Sequence, residues 1–101
     1  MFKVNFYVPT EYLEAVKKSM FDAGAGKIGN YDSCSWETLG QGQYRPLKGS
    51  RPFMGTENEV ELVPEFKVEM VCEEDKIDRV IKALKAAHPY ETPAFEVYKI
   101  L

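Results

Sequence analysis

Apolar and polar side chains alternate over the first eight residues of the chain. This period of two predicts a half-buried strand that ends at Pro9. Beyond the proline, Thr10 is predicted to cap a helix whose apolar residues recur every three or four positions, and Gly24 and Gly26 are predicted to end that helix. The strand's apolar residues are Phe2, Val4, Phe6 and Val8, and the helix's are Leu13, Val16, Met20 and Phe21.

The remainder of the chain predicts three more strands and one more helix. Residues 34–39 form a second predicted strand after a turn at Gly29, and residues 66–72 alternate as a third strand. The period then changes to that of an amphipathic helix over about residues 74–87, which Pro89 terminates. Residues 95–100 supply the last strand.

This order of elements predicts an α+β fold of the ferredoxin-like βαββαβ type, with residues 1–101 as a single domain. Four antiparallel strands would form a sheet with both helices on one face. The other face would be bare, with Tyr7, Trp36 and Tyr98 as candidates to lie on it. Because exposed apolar sheet surfaces usually mediate association, we expect a homo-oligomer, either a dimer or a trimer.

Composition excludes several classes of function. The chain carries 13 basic and 16 acidic residues, a formal charge of -3, which argues against nucleic acid as a partner. No apolar run is long enough for a signal peptide or a membrane span, so we expect no membrane association and a cytoplasmic location. Cys34 and Cys72 lack a CxxC spacing, and we expect both to be reduced.

A polar segment rich in glycine and proline, GQGQYRPLKGSRPFMGTENE, separates the second and third predicted strands. Its length, about twenty residues, is typical of a binding or contact loop. Three basic residues within it, Arg45, Lys48 and Arg51, could together bind an anion through charge-assisted hydrogen bonds. Solvated loop charges are the simpler interpretation.

His88 is the only histidine of the chain and lies where the second helix ends. It could stabilise the helix C-terminus, or bind a divalent metal with Glu91 and a cysteine thiolate. As a third interpretation, it could serve as the general base of a hydrolase, oriented by Glu91. No nucleophile or oxyanion donor is identifiable, so we assign no catalytic residue.

Three segments carry a resemblance to a known family: GKIGNYDSCSW at 26–36, GQGQYRPLKGSRPFMG at 40–55 and AHPYETPAFEVY at 87–98. Together they resemble the domain inserted in the YqfO family, the NGG-interacting-factor-like proteins. The resemblance implies a free-standing version of that domain, with a fold similar to the CutA and PII signalling proteins.

Members of the YqfO family with the full architecture hold a pair of metal ions on histidines and carboxylates of the domain that flanks the insertion. One histidine cannot reproduce that cluster. We therefore do not expect this chain to bind the metal pair or to have the GTP cyclohydrolase activity that is assigned to some of those proteins.

The leading functional hypothesis is a noncatalytic oligomeric module. The long segment and the HPYE turn, residues 88–91, would bind a small ligand or a protein partner, with Arg45, Lys48, Arg51 and Tyr90 as candidate contacts. The alternative is a metal-binding protein that uses His88 and Glu91, and a hydrolase is the third hypothesis.

Overall fold

A computed structural model describes all residues from 1 to 101. A turn of 3-10 helix precedes each of its two α-helices, at Thr10–Tyr12 and Glu74–Lys76. The helices and strands are β1 (Phe2–Pro9), α1 (Leu13–Asp22), β2 (Trp36–Tyr44), β3 (Glu61–Cys72), α2 (Ile77–Ala87) and β4 (Phe95–Lys99).

The four strands form one antiparallel sheet in the order β2-β3-β1-β4. Phe6 on β1 pairs with Val68 on β3 and with Phe95 on β4, which fixes the register at the centre of the sheet. The predicted α+β class, the strand order along the chain and the two helices are confirmed. No helix has the length and apolar character that crossing a membrane requires.

The hydrophobic core lies between the sheet and the two helices. The alternating apolar residues of β1, Val4, Phe6 and Val8, are fully buried on the helix-facing side. Their neighbours on β3 alternate in the same way, so one face of the sheet is apolar along both central strands. The helices close this core with Leu13, Val16 and Met20 from α1 and with Val80 and Leu84 from α2.

The strands β2 and β3 extend further than the sequence pattern predicts. Gly40 to Tyr44 continue β2, although they belong to the segment predicted to be irregular, and they pair with Glu61 to Glu65. Pro64 lies inside β3, which is tolerated because β1 ends at Pro9, opposite Glu65. Beyond that point β3 has only β2 as a neighbour, so a missing N–H can face the open side.

The predicted cap of the first helix is wrong. Thr10 begins the 3-10 turn instead, and neither this turn nor α1 has a side-chain cap. Pro9 sets an extended conformation that leads directly into the turn. The predicted end of α1 is confirmed, since Gly24 and Gly26 both have positive φ angles, 115° and 77°, which favour glycine.

The sheet face opposite the helices carries both aromatic and charged side chains. The pairs Trp36 with Glu69, Tyr7 with Lys67, and Tyr98 with Lys3 place the three predicted aromatic residues on this face. The expectation of an apolar surface is wrong, however, because lysine and glutamate residues separate the rings. Lys3 and Glu69 form an ion pair of 2.9 Å there.

Candidate functional site

A cleft of about 270 Å³ lies where the β2–β3 ribbon, the loop of residues 45–60 and the HPYE turn meet. The long loop and the turn, which the sequence singled out separately, therefore share one site. The aromatic residues of its wall are Tyr7, Tyr44, Phe53 and Tyr90, and the charged ones are Arg51, Glu65 and Glu91.

Tyr90 joins the turn to the sheet. Its hydroxyl donates a 2.7 Å hydrogen bond to Oε2 of Glu65 on β3, and its ring meets the Tyr44 ring edge-on at 5.8 Å. The Phe53 ring from the loop lies 6.4 Å from the Tyr90 ring. Three separate segments of the chain thus contribute an aromatic ring to one wall.

Gly42 on β2 makes room for the Glu65 carboxylate. A Cβ atom at position 42 would overlap that carboxylate, whereas one at Gly40 would have its nearest neighbour, the Glu65 carbonyl oxygen, 4.0 Å away. The two glycines therefore differ in their reason for being tolerated in the strand. Only Gly42 is required for the position of a cleft side chain.

Specific hydrogen bonds hold the long loop against the turn and the ribbon. The backbone N–H of Arg51 donates to Oε2 of Glu91 at 2.9 Å, and the Tyr44 hydroxyl donates to the Met54 carbonyl at 2.7 Å. Phe53 also packs edge-on against the Tyr12 ring at 5.4 Å. The loop is thereby tied to three other elements: the turn, the β2–β3 ribbon and the 3-10 turn that precedes α1.

His88 is buried, and both of its ring nitrogens have protein partners. Nδ1 accepts from the Tyr90 backbone N–H at 3.1 Å, so in the neutral ring Nε2 carries the proton and donates to the Tyr7 carbonyl at 2.7 Å. The backbone N–H of His88 ends α2 by bonding to Leu84. The predicted position at the helix end is confirmed, but the ring contacts β1 and the turn, not the helix carbonyls.

Burial alters the acid-base behaviour of the groups in and beneath the cleft. Desolvation lowers the pKa of His88 below its ordinary value, although the Tyr7 carbonyl and the Glu65 charge oppose this shift. Burial and the hydrogen bond to Glu65 raise the pKa of Tyr90 strongly, and burial with nearby Glu61 and Glu65 raises that of Tyr44. Both phenols are therefore neutral donors at physiological pH.

The predicted site residues have different positions. Arg51, Tyr90 and Glu91 line the cleft, whereas Arg45 and Lys48 do not. Glu91 accepts a hydrogen bond from the Arg51 backbone and forms none with the His88 ring. No group of three or more His, Cys, Asp and Glu side chains is arranged to hold a metal ion, so the metal site at His88 and Glu91 stays a prediction without a third protein ligand.

Sequence reasoning missed Glu65, Tyr44, Phe53 and Gly42. Glu65 belongs to a run of acidic residues that is indistinguishable from a solvated face. The one available signal was the pair of glycines in GQGQY at 40–44, because glycine inside a strand often marks the close approach of another group.

Comparison with known proteins relates the chain to part of a larger family. It is 43% identical over 95 residues to a GTP cyclohydrolase 1 type 2 homologue of Mycobacterium leprae, covering 94% of this chain. The corresponding protein of Bacillus subtilis is 41% identical over 98 residues. The chain spans about a quarter of the length of these relatives, 25% and 26% respectively. No model of a known protein family matches the chain.

Solved structures agree with this relationship. A Bacillus cereus protein related to NIF3 superposes with a TM-score of 0.82 at 38% identity, covering 96% of this chain and 24% of that one. The periplasmic divalent cation tolerance protein CutA of Archaeoglobus fulgidus gives a TM-score of 0.69 at 19% identity, covering 99% and 84% of the two chains. The PII-like protein CutA of Nostoc gives a TM-score of 0.70 at 19% identity, with coverages of 99% and 81%. At these identities the CutA proteins establish a common fold alone.

Proposed function

Because the chain is homologous over nearly its whole length to a segment of the GTP cyclohydrolase 1 type 2 homologues, the YqfO and NIF3-related proteins, and has the CutA- and PII-like fold, we propose that it is a noncatalytic binding module. The cleft between the long loop and the HPYE turn is its ligand site. The observation that carries this proposal is the aromatic and charged wall that three distant segments build together.

The volume and the lining of the cleft suit a small ligand. Its volume of about 270 Å³ is close to the lower end of the range for small-molecule sites, and its walls combine aromatic rings with a few polar groups, as such sites do. Arg51 and Tyr90 are the predicted contacts that line it. Arg45 and Lys48 would meet only a ligand or partner that extends beyond the cleft.

The two alternative functions receive no support from the geometry. To bind a metal ion, His88 would have to lose a hydrogen bond between its ring and Tyr7 or Tyr90. General-base catalysis would likewise need a free Nδ1 or Nε2. A metal site that used His88 and Glu91 would need further ligands, for example from a second copy of the chain.

The proposed module is a homo-oligomer, assembled through the sheet face opposite the helices. Trp36 and Tyr98 are 69% and 54% exposed on this face. A second copy of the chain that covers this face would bury these rings.

Ligand binding is tested by screening small fragments against ¹⁵N-labelled protein and mapping the amide shifts. We expect binders to shift amides of the cleft, and Phe53→Ala to abolish these shifts. Leu47→Ala is the matched control, since Leu47 is a similarly exposed apolar residue of the same loop that lies outside the cleft, 55% exposed against 46% for Phe53. Shifts scattered over the surface, or none, would refute the proposed site.

Oligomerisation is tested by sedimentation and native mass spectrometry of untagged protein. We expect a mass of two or three subunits, reduced to the monomer by Trp36→Glu. Tyr31→Glu is the control, because Tyr31 is 75% exposed and lies outside the sheet. A monomer of 11.5 kDa at micromolar concentration would contradict the proposed assembly.

A further inference from the structure

The Glu65 carboxylate faces the cleft without a basic partner. It is half-buried, its Oε2 accepts from Tyr90, and its Oε1 accepts no hydrogen bond from the protein. None of the chain's ion pairs includes Glu65, and none includes Glu91 or Arg51. A partly desolvated carboxylate normally has a cationic partner, so its free oxygen is a site for a positively charged group.

The aromatic wall beside Glu65 suits the same kind of group. The centre of the Tyr90 ring lies 5.8 Å from that of Tyr44 and 6.4 Å from that of Phe53. The π faces of such rings carry a negative potential and attract ammonium or guanidinium groups. Arg51 is the only basic residue that lines the cleft, against the two acidic residues Glu65 and Glu91.

The positions of the Glu65 carboxylate and of the Tyr90 ring are fixed by the surrounding structure. Gly42 leaves the space in which Oε1 of Glu65 lies, and the Tyr90 hydroxyl donates to Oε2. The centre of the Tyr90 ring lies 4.9 Å from that of the buried His88 ring, at an interplanar angle of 56°. A ligand would therefore meet a preorganised site and would not have to order these side chains on binding.

We propose that the cleft binds a small organic cation, with an ammonium or guanidinium group held between the Glu65 carboxylate and the rings of Tyr44, Phe53 and Tyr90. This inference rests on the proposed function of the cleft as a ligand site. The opposite class, a carboxylate or phosphate ligand, would use Arg51 and would place its charge next to Glu65.

The test uses three probes of similar size and different charge: benzylammonium, benzyl alcohol and benzoate. Each is titrated into ¹⁵N-labelled protein while the cleft amides are followed by NMR. We expect benzylammonium to bind at least about fivefold more tightly than benzyl alcohol, because its charge adds a salt bridge and a cation–π contact. Benzoate should bind most weakly.

Two variants connect this preference to the carboxylate. Glu65→Gln keeps the shape of the side chain and an acceptor for Tyr90, so it should fold and make the affinities for the amine and the alcohol equal. Glu57→Gln removes one negative charge from the loop outside the cleft and should leave the preference unchanged. Loss of the preference in both variants would show a general charge effect and would overturn the proposed contact.

The other outcomes separate this inference from the proposed function. Tightest binding of benzoate would overturn the cation site and favour an anion at Arg51, and equal binding of all three probes would overturn any charge preference. In both cases the cleft would still be a ligand site. If no probe shifts a cleft amide, the cation inference is overturned, while the fragment screen with Phe53→Ala decides the proposed function separately.

Discussion

The Tyr90 hydroxyl and Oε2 of Glu65 form a 2.7 Å hydrogen bond between residues 25 positions apart in the chain. This bond fastens the HPYE turn to the β2–β3 ribbon. Because the Tyr90 ring also contacts Tyr44 and Phe53, turn, ribbon and loop form one unit. Changes to this pair should therefore affect the whole cleft.

Tyr90→Phe should lower the free energy of unfolding by about 1 kcal/mol, since it removes one side-chain hydrogen bond and keeps the ring. Urea denaturation measures this loss. Tyr31→Phe is the control, because the Tyr31 hydroxyl is exposed and has no protein partner; its effect should stay within about 0.5 kcal/mol. Equal losses in the two variants would show that the bond to Glu65 does not contribute to stability.

Gly42→Ala should displace the Glu65 carboxylate and break the same hydrogen bond, at a cost of about 1 kcal/mol. Gly40→Ala has room for its methyl group and controls for the change in chain entropy. In a double-mutant cycle, Tyr90→Phe should cost little more once Gly42→Ala is present. Additive losses would mean that the methyl group acts elsewhere than on Glu65.

The fold is predictable from the sequence where one face of an element is buried. The alternation in β1 and the helical period in α2 report burial directly, and both are observed. The extension of β2 through Gly40 and Gly42 is not predictable in this way, because its residues are mostly exposed and the strand forms through pairing with β3. Tertiary pairing overrides local preference there.

The candidate site is only partly predictable for the same reason. The positions of Arg51, Tyr90 and Glu91 in a long loop and a turn indicate binding residues. Glu65 gains its role from Gly42 on the neighbouring strand and from Tyr90 in the turn. Contacts over such sequence distances leave no periodic signal, so the carboxylate cannot be told apart from its acidic neighbours.

Glu91→Ala should speed hydrogen exchange of the Arg51 amide about fivefold, because the carboxylate that accepts from this N–H contributes about 1 kcal/mol of local protection. NMR-detected exchange measures the effect at a single amide. Glu57→Ala is the control for charge, because it removes one negative charge from the loop that contains Arg51. Glu91→Gln is a second control, because its amide oxygen can still accept from the Arg51 N–H. Unchanged exchange in Glu91→Ala would show that the loop is held by its other contacts alone.

The buried His88 ring predicts how stability depends on pH. Burial lowers its pKa in the folded state, with the Tyr7 carbonyl and the Glu65 charge in opposition. Between the folded pKa and the ordinary value of about 6.5, the unfolded chain binds more protons than the folded one. The free energy of unfolding should therefore be greatest above pH 6.5 and should fall as the pH drops through this window.

Urea denaturation of the wild type and of His88→Gln at pH 7.5 and 5.5 measures this dependence. We expect the wild type to be less stable at pH 5.5, whereas the variant, which has no histidine, should change little.

The lowered pKa values of Glu69 and Glu74 make stability fall only at lower pH, because those carboxyls stay ionised to below about 4.5. Protonation at Nδ1 would also remove the acceptor of the Tyr90 N–H, so the amide shift of Tyr90 should change as the pH falls through the pKa of His88 in the folded protein. A parallel loss of stability in the variant would assign the pH dependence to the carboxyl groups and not to His88.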